Sequence, residues 1–170
     1  MHSDDGGGVK SLKLCPVLVV AAALVAPAVA HADMPVPQAG APCAENLADA
    51  MTQLPGGRDF LVCQGQPDGS YAWAAAAVPF DPADTWFSYG SGITLHGQGF
   101  RNPNLSSGNW TANPLDPETV CGAEQVTVVS AGVFAPQQNS RGEPGQPMSV
   151  ELLPKLFTVT MTGDCLWSRE

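Results

Sequence analysis

Four cysteines, Cys43, Cys63, Cys121 and Cys165, are spread along the later part of this 170-residue chain, and what they become depends on where the chain folds. The N-terminus speaks to that. Lys10 and Lys13 precede an uncharged run over residues 14–30, Pro27 breaks the run, and Ala30-His31-Ala32 places small side chains at both positions a signal peptidase reads. Residues 1–32 therefore read as an export signal cut before Asp33. The apolar run is interrupted by Pro16 and Pro27 and rich in alanine, and it falls short of the roughly 20 apolar residues a spanning helix needs. No stable membrane span is expected after cleavage. Cys15 lies at the start of the run, not behind it where a lipid-anchored cysteine would sit, and no Arg-Arg pair precedes the run. The chain is expected to cross unfolded and fold outside, where thiols oxidise and four cysteines give two disulfides.

Three pairings of four cysteines are possible, and local geometry favours one. Between residues 44 and 54, apolar Leu47, Ala50, Met51 and Leu54 recur at i, i+3, i+4 and i+7, while Glu45, Asp49 and Gln53 fall elsewhere. This spacing predicts a helix, ended by Gly56-Gly57. Phe60-Leu61-Val62-Cys63 then reads as a strand returning beside it, which brings Cys63 to Cys43 and leaves Cys121 for Cys165. Wide dispersal and the lack of a C-x-x-C pair argue against a zinc site.

Beyond residue 60 the pattern shifts to strands separated by turn residues. Strands are predicted at 60–64, 71–78, 85–89, 92–96, 125–135, 149–153 and 156–161, with a hairpin turn at Gln66-Pro67-Asp68-Gly69-Ser70. Residues 98–117 and 136–147 read as long loops. The expected fold is mainly β (α+β): one antiparallel β-rich domain with a single N-terminal helix, stapled by disulfides. Its plan is signal peptide 1–32, an extended, Pro-punctuated and mobile lead 33–42, and one secreted domain 43–170.

Acidity and the residue inventory exclude several chemistries. The chain carries 16 acids against 7 bases, a formal charge of −9, so it repels phosphate backbones and lacks the clustered bases that counterion release requires. Nucleic acid is excluded as a partner. His96, in Thr94-Leu95-His96-Gly97-Gln98-Gly99, is the one histidine beyond the signal, so a two-histidine metal site is impossible there. A hydrolase would have to pair His96 with Ser88, Ser91, Ser106 or Ser107, none of which lies in G-x-S-x-G. Gly97-Gln98-Gly99 lacks the third glycine and the βαβ setting of a phosphate loop. Asp81, Asp84, Asp116 and Glu118 occur in two similar Asp-Pro-acid steps, which suit capped turns better than a calcium site. No cofactor or metal is expected, and no catalytic residue is assigned. Aromatic rings among amides are how a surface holds a small molecule, and Trp86, Tyr89, His96 and Trp110 are the candidate ligand-binding residues.

The segments Cys43-Ala44-Glu45-Asn46-Leu47, Leu54-Pro55-Gly56-Gly57, Phe60-Leu61-Val62-Cys63, Thr94-Leu95-His96-Gly97-Gln98-Gly99 and Cys165-Leu166-Trp167, behind an alanine-rich signal, resemble the small exported proteins of mycobacteria and related actinobacteria. The resemblance implies a secreted or envelope-associated domain and carries no functional residues with it. The leading expectation is a non-catalytic domain that binds a ligand or partner at the cell envelope. The alternatives are a small secreted hydrolase, with His96 or a carboxylate pair as its chemistry, and a secreted protease inhibitor presenting residues 64–70.

Overall fold

In the computed structural model, which describes residues 34–90 and 92–170, Cys43 is bonded to Cys63 and Cys121 to Cys165. The pairing is the expected one, but the helix invoked to reach it is absent. A single 3-10 turn, Glu45–Leu47, is followed by a strand, β1 (Met51–Gln53). Asp49 sits between them at φ 62°, which ends any helical run. The Asp49 amide donates to Cys63 O, and the Cys63 amide donates to Ala50 O. The apolar spacing had a second solution. Leu47, Ala50 and Met51 are buried as a helix would bury them, but Gln53, assigned to the wet face, is buried too. The export signal and its cleavage point before Asp33 lie outside the described residues.

Eleven further strands follow: β2 (Phe60–Gly65), β3 (Tyr71–Ala75), β4 (Thr85–Ser88), β5 (Ile93–His96), β6 (Gly108–Pro114), β7 (Gly122–Ser130), β8 (Val133–Phe134), β9 (Gln138–Arg141), β10 (Met148–Leu152), β11 (Leu156–Thr162) and β12 (Cys165–Arg169). They form a seven-stranded sheet in the order β10-β6-β12-β4-β1-β2-β3 and a five-stranded one, β5-β11-β7-β8 with β9 also on β7. Among the described residues every strand pairing is antiparallel except β1 with β4, where Met51 lies beside Trp86. There the Thr52 hydroxyl donates to Phe87 O at 2.8 Å, tying the two strands where the ladder is short.

Alternation places the core. On β12, Cys165 and Trp167 point inward; on β10, Met148, Val150 and Leu152; on β11, Leu156, Val159 and Met161. These faces meet in one buried cluster that includes Trp86, Trp110 and Trp167 at 0 % exposure, the arrangement of two sheets packed face to face. Two buried glutamines stitch the sheets together. Gln53 Oε1 accepts the Thr94 amide, from β1 to β5, and Gln125 bonds Glu151 O and the Leu153 amide, from β7 to the end of β10.

The lead segment is not a free tail. Gly40 donates to Trp73 O, Trp73 to Ala41 O and Cys43 to Tyr71 O, so residues 40–43 run along the edge of β3. Farther back, the Met34 amide donates to Asp164 Oδ2 at 3.0 Å. Residues 35–38 bridge these two anchors as a strap. Pro35 and Pro37 have no N–H, which suits a segment that joins no ladder. Among the described residues, no helix is long and apolar enough to cross a membrane.

Candidate functional site

The outer face of the seven-stranded sheet carries a row of rings beneath the strap. Trp73 on β3 stacks on Phe87 of β4 with centroids 5.9 Å apart, and Phe87 lies 5.9 Å from Tyr89, just past the strand. Strand alternation puts Phe87 and Tyr89 on one face, and pairing across β1 and β2 brings Trp73 to the same side. The strap roofs this row and leaves a depression on either side of Val36. One, of about 450 Å³, is apolar and bounded by Met34, Leu47, Trp73, Phe87 and Leu115. The other, of about 500 Å³, is bounded by Gln53, Gly56, Tyr89, Thr94 and His96. Val36 borders both and is 45 % exposed. Volumes of this size suit small ligands.

The second depression is built from two sheets. Its floor is the Gln53 to Thr94 bridge, and the phenol of Tyr89 donates to Gln53 O at 2.9 Å. Burial pushes the Tyr89 phenol above its ordinary value, so it stays a neutral donor. One wall is the β1–β2 turn, and the other is the start of β5. There Gly92 sits at φ 104° with Met161 O only 2.6 Å from where a Cβ would lie, so glycine alone fits. None of the residues lining this depression is acidic, although the chain carries 16 acids.

Of the four candidate ligand-binding residues, the structure brings two together. Tyr89 and His96 line the same depression. Trp86 and Trp110 are fully buried, each with its indole N–H given to a carbonyl, Ala83 O and Ser106 O respectively, so they offer no ring face to a ligand. The rings that line the two depressions are Trp73 and Phe87 on one side and Tyr89 and His96 on the other. Sequence reasoning missed Val36, Gln53 and Leu115. The Pro-Val-Pro step at 35–37 was the available signal: it exposes one apolar side chain between two residues that cannot join a sheet.

Of the four serines a hydrolase could pair with His96, Ser88 and Ser107 are engaged elsewhere, and Ser91 lies outside the described residues. Ser88 is buried, its hydroxyl donating to Gly163 O at 2.6 Å while accepting Trp167 Nε1–H at 2.8 Å. The Ser107 hydroxyl donates to Leu153 O. His96 stacks its ring on Phe100 with centroids 4.0 Å apart, and its backbone amide donates to Asn104 Oδ1. Asp116 caps a turn, accepting the Glu118 and Thr119 amides and the Thr119 hydroxyl, and Asp84 pairs with Arg169. Among the described residues, no group of three or more His, Cys, Asp or Glu side chains is placed to hold a metal ion. The 64–70 segment is a closed hairpin turn. Gln66 donates to Ser70 O, and the Ser70 amide and hydroxyl donate to Asp68 Oδ1, which holds that carboxyl below its ordinary value. An inhibitor loop would have to be extended.

Comparison with protein-family models, with curated proteins and with solved structures finds no match to this chain.

Proposed function

We propose that this chain is exported, with residues 1–32 as its signal, and that its disulfide-stapled domain is a non-catalytic binding module of the cell envelope. The observation that carries the reading is the Trp73-Phe87-Tyr89 row under the residue 34–38 strap, flanked by an apolar depression and a hydrogen-bonding one that share Val36. Such a floor gives area for apolar contact at one end and orienting polar groups at the other. Two disulfides fit an oxidising compartment. The engagement of Ser88 and Ser107 favours binding over hydrolysis.

The test is a nuclear magnetic resonance titration of the oxidised protein with envelope glycans, acyl-chain amphiphiles and envelope peptides. A ligand should move the resonances of Val36, Tyr89, Thr94 and Leu115 together, and Val36→Asp should abolish the effect without unfolding the domain. If the protein turns over an ester, glycoside or peptide panel, and His96→Ala removes that turnover in a folded protein, the hydrolase reading replaces this one.

A further inference from the structure

Among the described residues, six large apolar side chains stand exposed, and four of them, Phe100, Val129, Val133 and Phe134, converge at one end of the five-stranded sheet. Three lie on the β7–β8 hairpin, whose tip turns at Ala131 and Gly132. Phe134 packs on Phe157 with centroids 4.6 Å apart, and Phe157 packs on Phe100 at 5.6 Å. Phe134, Phe157 and Phe100 therefore form one connected group drawn from three segments of the chain, and exposed Val129 and Val133 extend it to the tip of the hairpin. From residue 125 to residue 140 there is no charged side chain. A contiguous exposed patch of this kind marks an interaction surface.

Its collar is basic in an otherwise acidic chain. The backbone of Lys155 accepts the Val128 amide at the root of the hairpin, and a Cβ on Gly99 would lie 2.5 Å from Lys155 O, so residues 99–101 pack against the same turn. Lys155 thus stands at the root of the hairpin, and exposed Arg101 follows two residues after the Gly99 contact. The nearest acid along β7, Glu124, sits four residues back from Val128, roughly 13 Å at strand spacing.

We propose that this end of the sheet docks on an anionic lipid bilayer, with Val129, Val133, Phe134 and Phe100 entering the interface and Lys155 and Arg101 meeting the headgroups. The charge pattern selects this occupant over a second copy of the chain. A two-fold contact would gather two such collars, four bases in all, around one apolar seam, whereas an anionic headgroup layer neutralises each. The overall negative charge argues against lipid surfaces in general, and the arrangement reverses that repulsion at one end only.

The experiment is vesicle co-sedimentation of the exported protein, its N-terminus read by mass spectrometry. Vesicles of equal parts phosphatidylglycerol and phosphatidylcholine are compared with pure phosphatidylcholine, and folding of each variant is checked by near-ultraviolet circular dichroism. The wild type should partition at least tenfold more strongly to the anionic vesicles. The pair Val133→Ser and Phe134→Ser should lower that partition at least tenfold, and Arg101→Gln with Lys155→Gln should remove the preference for phosphatidylglycerol. Val78→Ser, at an exposed valine outside the patch, should change nothing. The proposal is overturned if the wild type does not bind the anionic vesicles, if Val78→Ser weakens binding as much as the hairpin pair, or if the hairpin variants abolish a dimer seen by sedimentation and leave vesicle binding intact.

Discussion

Gln53 Oε1 accepts the backbone amide of Thr94 at 3.0 Å, so a buried side chain of one sheet terminates the edge strand of the other. On β5, Thr94 and His96 turn their amides away from β11, and the second is taken by Asn104 Oδ1 at 2.8 Å. Both outward donors of the edge are thereby occupied by side chains. An open edge strand invites pairing with another chain, and here two amide side chains close it.

Replacing Gln53 with alanine should leave the Thr94 amide without its partner beside a new cavity. The loss should be about 1–3 kcal/mol for the unsatisfied donor, read as a fall in the denaturant midpoint at unchanged slope. The variant should also self-associate more readily than the wild type in sedimentation velocity. An unchanged midpoint would show that water replaces the amide at no cost.

Ser88 and Trp167 form a second buried relay, the indole N–H donating to the hydroxyl and the hydroxyl to Gly163 O. Ser88→Ala should cost about 1–3 kcal/mol, because a fully buried indole N–H then lacks an acceptor. Combining it with Trp167→Phe should cost less than the sum of the two single changes, since the orphaned donor is gone in the double variant. Strict additivity would mean that the bond contributes nothing as a pair.

Much of the strand pattern is legible in the sequence, and each miss has a physical cause. β2, β4, β5, β10 and β11 lie within a residue or so of their predicted bounds, because β-branched and aromatic residues alternate there between turn residues. β6 was hidden in a predicted loop. Its Gly108-Asn109-Trp110-Thr111-Ala112-Asn113-Pro114 has the composition of a turn, and only pairing with β10 and β12, with Trp110 and Ala112 facing inward, makes it a strand. β9, Gln138-Asn139-Ser140-Arg141, is likewise set by its partner β7. β1 was lost to the helical spacing of Leu47, Ala50 and Met51, which a 3-10 turn followed by a strand satisfies equally. Of the site, Tyr89 and His96 are within reach of the sequence, since a ring that also carries a hydrogen-bonding group stands out from the purely apolar ones. Trp86 and Trp110 were not separable from them, because aromatic composition does not say which face of a strand is covered.

Asp164 tethers the strap by one carboxylate oxygen to the Met34 amide and holds the Gly90 amide by the other, at 3.0 and 2.9 Å. Asp164→Ala should release residues 34–38 while the edge pairing of residues 40–43 persists. The backbone order parameters of Val36 and Gln38 should fall with little change at Trp73 or Cys43, and the affinity of any ligand found at the two depressions should fall with them. Equal loss of order along residues 34–43 would show that the strap and the β3 edge move as one unit.

The two disulfides close loops of different length, with sequence separations of 20 and 44. If restriction of the unfolded chain governs their effect, Cys121–Cys165 should stabilise by roughly 0.7 kcal/mol more than Cys43–Cys63, from the logarithm of the loop ratio. Paired Cys→Ala variants, compared by urea unfolding, give the order. A larger loss for Cys43 and Cys63 would point to native packing of the strap and β3 edge, which that bridge anchors, as the dominant contribution.

Tyr89 should set the alkaline limit of the depression it shares with His96. Burial raises its phenol above the ordinary value of 10.0, so the folded state holds the proton more tightly than the unfolded one. The sign follows from linkage: stability attached to the neutral phenol is fully present below the unfolded value and is lost as pH rises through the folded one. Ionisation would also remove the hydrogen that Tyr89 donates to Gln53 O, on the residue that holds the β5 edge. Ultraviolet absorbance titration should therefore show a tyrosinate step in the wild type at higher pH than that of a model phenol, and Tyr89→Phe should remove it. The same substitution should flatten the decline of the denaturant midpoint above pH about 10, the model-phenol value. If the decline persists unchanged in Tyr89→Phe, alkaline unfolding begins elsewhere, and the phenol is not the group that couples the site to the sheet edge.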